Sequence, residues 1–283
     1  KLLEFALQVS DPKVINPISI VSVLPTSSYA ERIIHKSRKN LEEIVKHFSG
    51  YETKLNTIAT IDLNISSGIS RVSKELFADV VMVNDSNKIN LIKRIVGDDR
   101  AHLMDSCDKT IFFCQVERPS VNYEKIVVVA PVHAELEPTF VSWVERVFRL
   151  SHELKIPIEA FMHSNTYERF LKVALANKID ATSKLIAIEE MQDFFIYADR
   201  KENDFVIAVG ARTGSVSYFS DSDTFLAKVQ KAYEDNDWVL VIPGQEKENL
   251  FKEYEDISGN AIGIGVDTLS RIGKEVGSIF KKD

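Results

Sequence analysis

Short runs of β-branched and apolar residues alternate along this chain with longer stretches whose apolar positions recur every three or four residues. The first pattern marks strands buried on both faces, the second amphipathic helices. Residues 1–9 open as a helix, with apolar residues at 2, 3, 6, 7 and 9, and Asp11-Pro12 stops it. Strands are predicted over 18–24, 56–62, 79–83 and 110–114, with helices over 28–48, 66–77 and 91–104 between them. The first of these helices carries Ile33, Ile34, Leu41, Ile44 and Val45 at helical spacing and ends at Gly50. Ser66-Ser67 offers the N-cap of the second. Strand and helix in turn predict a parallel sheet with helical crossovers, an α/β fold.

Residues 119–123 read as a linker, and the pattern then restarts. Strands are predicted over 125–131, 158–162, 183–188, 204–210 and 238–242, with helices over 138–154, 166–176, 189–198 and 222–233. Pro138 suits a first helical turn. The expected division is therefore residues 1–117, residues 118–245 and a tail over 246–283. The second half has five strands and the first has four. If the halves are copies, the first lacks its initial strand, which would lie just before Lys1. The absence of an initiator Met points the same way, to an excised piece. A central strand lost from such a sheet leaves two apolar edges, so something should fill or narrow the gap: the tail, a neighbouring molecule or direct strand pairing. The tail holds five of the eleven glycines, yet Ile262, Val266, Leu269, Ile272, Val276 and Ile279 share one helical face. It reads as an amphipathic helix for packing on a domain or partner.

Composition narrows the class. A hydrophobic share of 45% with 27% charged residues suits a globular protein, and 283 residues suit two domains. A net charge of -7 argues against a nucleic-acid surface, which needs clustered Lys and Arg. No apolar run approaches the roughly 18 residues of a membrane span. Cys107 and Cys114 read as buried, reduced thiols, as in a reducing compartment.

Candidate chemistry concentrates in residues 204–217, where a buried strand runs into Gly210-Ala-Arg-Thr-Gly-Ser215. Ligands of open α/β sheets sit outside the carboxyl ends of strands, and a glycine turn lets backbone N–H groups approach a phosphate. Asp221 and Asp223, at the start of the next helix, read as N-cap and dipole-favoured residues. The histidines, at 35, 47, 102, 133, 152 and 163, show no metal spacing. Of these, His133 and His163 follow strand ends and are the two candidates to line a cleft. No nucleophile–base pair stands out, so no enzyme and no metal site are predicted.

Each half resembles a universal stress protein domain, an open, Rossmann-like fold of five parallel strands. Members that bind ATP carry Gly, two residues, Gly, nine residues, Gly, then Ser or Thr after the fourth strand. The run Leu91-Ile-Lys-Arg-Ile-Val-Gly97 is similar to the lead into the last glycine. The earlier glycines then fall on Asn84 and Asn87, and Asp98 replaces the hydroxyl residue, with Asp85 and Asp99 adding repulsive charge. In the second half Gly210 holds the first position, Thr213 the second, Asp223 the third and Thr224 the fourth. Gly214 substitutes for Thr213 with a one-residue slip. The family's Asp after the first strand is replaced by Pro131 or His133. What the resemblance implies is a degenerate phosphate loop of Gly210, Arg212, Thr213, Gly214, Ser215 and Thr224, with Arg212 in reach of a phosphate and ATP or AMP as the candidate ligand.

Within that family the chain most resembles the paired domains at the cytoplasmic C-terminus of bacterial cation (sodium)/proton antiporters. This implies a non-catalytic regulatory module on the inner face of the membrane. Its partner would be the membrane-embedded domain of the same polypeptide, and its halves would pack as a pseudo-dimer or build a homodimer. The alternative is a soluble tandem universal stress protein that binds ATP or AMP.

Overall fold

The computed structural model describes residues 1–11, 17–48, 50, 54–85 and 96–245, giving only the backbone of 96–99. The tail expected over 246–283, the motif position Asn87 and the side chains of Gly97, Asp98 and Asp99 lie outside the described residues.

Every strand expected from the apolar runs forms. In the first half the order is α1 (Leu2–Val9), β1 (Ile18–Pro25), α2 (Ala30–His47), β2 (Leu55–Asp62), α3 (Ile65–Glu75), β3 (Val80–Asn84), α4 (Val96–Ser106) and β4 (Thr110–Gln115). After a 3-10 turn at Ser120–Asn122 come β5 (Lys125–Val129), α5 (Phe140–Leu154), β6 (Ile158–Met162), α6 (Ser164–Ala176) and β7 (Ser183–Ala187). The chain then runs through α7 (Phe194–Tyr197), β8 (Asp204–Val209), α8 (Ser222–Ala232) and β9 (Asp237–Ile242). All lie in one compact unit, Lys1–Glu246.

Seven strands form one sheet in the order β3-β4-β9-β8-β5-β6-β7, while β1 and β2 pair separately. Every pairing is parallel except β4 with β9, which runs antiparallel from Ile111 opposite Ile242 to Gln115 opposite Trp238. The last strands of the two halves thus join edge to edge. In the second half β5 is central, parallel to β6 on one side and β8 on the other. Its Ile126, Val127, Val128 and Val129 are at most 1% exposed. Each such side chain contributes on the order of 1.5–3 kcal/mol of transfer free energy.

The pleat divides the core into two clusters on opposite faces of the sheet. On β4, Phe112 and Cys114 join one cluster with Trp143, Phe148 and Phe170, while Ile111 and Phe113 join the other with Phe194, Phe225 and Tyr233. Phe5 and Val9 of α1 enter the first cluster, where Phe5 lies 5.7 Å from the ring of Phe205.

Three local expectations are corrected. The N-cap of α3 is Asn64, whose side chain accepts from the Ser67 N–H at 2.8 Å; Ser66 and Ser67 lie inside the helix. Residues 189–198 do not make one helix. Glu190 and Asp193 close a capping box around a 3-10 turn at Met191–Asp193, and only the one-turn α7 follows. Asp221 occupies the N-cap of α8, but its side chain makes no capping hydrogen bond. At the expected gap, β1 and β3 do not pair with each other, so direct strand pairing does not close it. Both cysteines are free and buried, and burial pushes the Cys114 thiol far above its ordinary pKa.

Candidate functional site

The candidate loop starts where β8 ends. The Gly210 N–H donates to Val241 O at 2.8 Å, prolonging the β8–β9 pairing by one residue. A Cβ on Gly210 would stand 2.8 Å from Ile242 Cδ1 and 3.2 Å from Leu226 Cδ1, so the glycine lets α8 and β9 close in. The chain then turns, with the Ser215 N–H donating to Arg212 O at 3.0 Å. Gly214 takes φ +85, at the position where a type II turn needs a positive φ. Gly214 is therefore the glycine that the turn itself requires.

Of the six predicted residues, Arg212 alone has its side chain buried among groups of other elements. Thr213 and Gly214 are exposed at the turn, Ser215 is half-buried, and Thr224 is exposed in the first turn of α8. Arg212 leaves them and enters the interior, where it is 6% exposed. Its Nε donates to Pro243 O at 2.7 Å and one terminal nitrogen to Lys109 O at 3.0 Å. The other donates to Met104 O, a carbonyl in the last turn of α4. A cation at a helix C-terminus also meets the negative end of the macrodipole. Burial lowers the Arg212 pKa, with Cys107, Asp108, Asp105 and Glu137 acting in the opposite sense. The guanidinium expected to reach a phosphate is engaged by three backbone carbonyls.

The residue that sequence reasoning missed is Glu137. Its carboxylate is buried and accepts from the Ser217 N–H at 3.0 Å and the Ser217 hydroxyl at 2.5 Å. Two residues on, Thr139 Oγ1 accepts from the Gly244 N–H at 2.7 Å. The segment after β5 thus reaches over the loops that follow β8 and β9. A loop N–H of the kind that cradles an anion is satisfied by the protein's own carboxylate. The motif positions carry no trace of this, because the partners lie far apart in sequence.

In the first half Asp85 follows β3. It was expected to repel a phosphate, but it is buried and forms an ion pair with Arg100. That guanidinium lies over the rings of Phe113, at 5.3 Å, and Trp238, at 6.0 Å, and burial lowers its pKa. Asn84 is exposed at the strand end.

Beyond the ends of β5 and β6, His133 is exposed and takes φ 66. Its Nδ1 is 4.0 Å from Glu135, whose other oxygen accepts from the Thr166 hydroxyl at 2.5 Å. His163 accepts the Asn165 N–H as the N-cap of α6 and faces Glu189 at 3.7 Å. His163 is thus a cap as well as a strand-end residue. Among the described residues no cluster of His, Cys, Asp and Glu could hold a metal ion. Among them, too, no helix is long and apolar enough to cross a membrane.

No family model matches the sequence, and neither does any curated protein. Solved structures do share the fold. A universal stress protein from Archaeoglobus fulgidus aligns with a TM-score of 0.51 and 9% identity over 86% of this chain and 92% of that one. A putative universal stress protein from Pseudomonas aeruginosa aligns with a TM-score of 0.55 and 12% identity over 91% and 92%. The cytoplasmic domain of a prokaryotic cation chloride cotransporter aligns with a TM-score of 0.54 and 8% identity over 89% and 93%. The chain has a universal stress protein-like α/β fold, with a mostly parallel sheet.

Proposed function

We propose that this chain is a non-catalytic cytoplasmic regulatory module of a membrane cation (sodium)/proton antiporter, joined to the membrane-embedded domain in one polypeptide. The observation that carries the reading is the occupancy of the candidate loop by the protein's own groups. Glu137 satisfies Ser217, and Arg212 is tied to the carbonyls of Met104, Lys109 and Pro243. A universal stress protein-like fold whose candidate loop is held by the protein's own groups suits a part that transmits a state rather than one that turns over a ligand. The same fold in the cytoplasmic domain of a cation chloride cotransporter supports placing it beside a transporter.

Regulation would work by an effector or partner that binds two arrangements of the module unequally; without such a difference no equilibrium shifts. An antibody raised against this chain, used on fractionated native cells, tests the placement. The reading expects a band much larger than 32.0 kDa in the membrane pellet, resistant to carbonate extraction. A band near that mass in the soluble fraction would overturn it. The second reading, a soluble tandem protein binding ATP or AMP, rests on Gly210 and the left-handed Gly214, which keep the turn geometry. It requires micromolar nucleotide binding that Gly210→Trp abolishes.

A further inference from the structure

Helix α2 packs on β1 and β2 along the line Ala30, Ile34, Ser37, Leu41 and Val45, all buried or half-buried at the four- and three-residue steps of a helix. The opposite line, at the same steps, is Arg32, Lys36, Lys39, Glu43 and Lys46, and all five are exposed. His35 and Arg38 are exposed beside it. From Arg32 to Lys39 four Lys and Arg residues occur with no carboxylate between them. Among the described residues none of the five Lys and Arg side chains of α2 lies within ion-pair distance of a carboxylate. Arg32 instead sits over the ring of Tyr29, 5.8 Å from its centroid. Tyr29 and Ile33, four residues apart on one flank of the ridge, are 61% and 45% exposed. The ridge also stands against the charge of the molecule. With five Lys and Arg and three Glu, α2 carries a net +2 against a total of -7, which leaves -9 on the rest of the chain.

We propose that the outer face of α2 is a docking surface for an anionic lipid bilayer. Arg32, Lys36, Lys39 and Lys46 lie against the headgroups, and Tyr29 and Ile33 sit at headgroup level beside them. A convex ridge of long, flexible cations fits a flat field of anions, whereas a small ligand or a peptide needs a pocket or groove. A nucleic-acid single strand needs open aromatic faces for its bases, and one face of the Tyr29 ring is taken by Arg32. The charge imbalance fixes the orientation, since the acidic remainder of the chain is repelled by the surface that attracts α2. The inference deepens the proposed function and rests on that reading only for which surface the chain meets. Lipid binding by the isolated chain is measured without it.

The test is cosedimentation of the 283-residue chain with vesicles of phosphatidylcholine, alone or with phosphatidylserine added. The salt is held at about 0.1 M, where a Debye length of about 10 Å spares the contact and screens the acidic remainder. At about fivefold per cation, the four cations of the ridge less Glu43 should give about 100-fold tighter binding to the anionic vesicles. The triple variant Arg32→Gln, Lys36→Gln, Lys39→Gln should lose that gain while keeping the wild-type thermal melt, because all three side chains are exposed. The control Arg169→Gln, Lys172→Gln, Lys184→Gln removes the same charge from exposed positions of the second half and should bind as the wild type does. Equal binding to the two kinds of vesicle, or equal loss in the two triple variants, overturns the proposal. Binding to poly-glutamate or to single-stranded RNA without binding to vesicles also overturns it, and would assign the ridge to an acidic protein or a nucleic acid. None of these outcomes bears on whether a membrane domain shares the polypeptide, which the cell fractionation decides.

Discussion

Replacing Arg212 by Met removes three charge-assisted hydrogen bonds to buried carbonyls while keeping most of the side chain's volume. Hydrogen bonds to a charged group contribute about 1.5–3 kcal/mol each, and a buried polar atom left unpaired costs about 1–3 kcal/mol. The three acceptors share one donor group and can relax together, so the costs do not simply add. Recovered apolar contact by the Met offsets part of the loss. The expected cost is about 3–5 kcal/mol, a large share of a typical 5–15 kcal/mol total. At this chain length that corresponds to about 5–8 °C in Tm. Arg212→Lys should fall between, because an ammonium is a compact point charge that cannot span three carbonyls set for a planar fork. Urea unfolding with m held constant is the assay. If Arg212 were instead a phosphate ligand waiting in solvent, its removal would cost under about 1 kcal/mol. A loss that small would refute the reasoning.

Gly244→Ala should destabilise by about 1–3 kcal/mol, since its Cβ would stand 2.8 Å from Thr110 N and 2.9 Å from Asp108 O, both backbone atoms. Gly210→Ala meets only the ends of Ile242 and Leu226 and should cost less; the reverse ranking in thermal melts would contradict the packing. The two thiols, 1% and 0% exposed, should react with a thiol reagent only at the rate of unfolding. Burial raises the Asp204 carboxyl above its ordinary range, with the Lys201 N–H and Lys125 opposing. A raised folded-state pKa gives stability that is full below the unfolded value of about 3.9 and is lost as pH rises through the folded value. The wild type should therefore lose ground to Asp204→Asn as pH rises above about 4 in chemical denaturation. An unchanged difference would contradict this.

The strands were legible because each is a short β-branched run, and the outcome in β5 and β8, buried along their whole length, is what such a run encodes. Helix ends were less so. Asn64, rather than Ser66 or Ser67, holds the cap of α3, and any of the three has the chemistry to do it. The 189–198 stretch has a helical composition, but the Glu190–Asp193 box and the early end of α7 override it. At the site, sequence located the turn through Gly210 and Gly214. The resemblance to a nucleotide-binding loop placed Arg212 in reach of a phosphate. The carbonyls that claim it belong to Met104, Lys109 and Pro243, and no local pattern reports on those. Glu137 was invisible for the same reason, since its partner Ser217 comes from a loop packed against it only in the fold.

Calorimetric titration of the chain with ATP and with AMP tests most directly whether this loop is closed on itself. With the Ser217 N–H held by Glu137 and the Arg212 guanidinium held by carbonyls, no saturable heat should appear at micromolar to submillimolar nucleotide. Micromolar binding to the wild-type chain, lost in Gly210→Trp, would contradict the account.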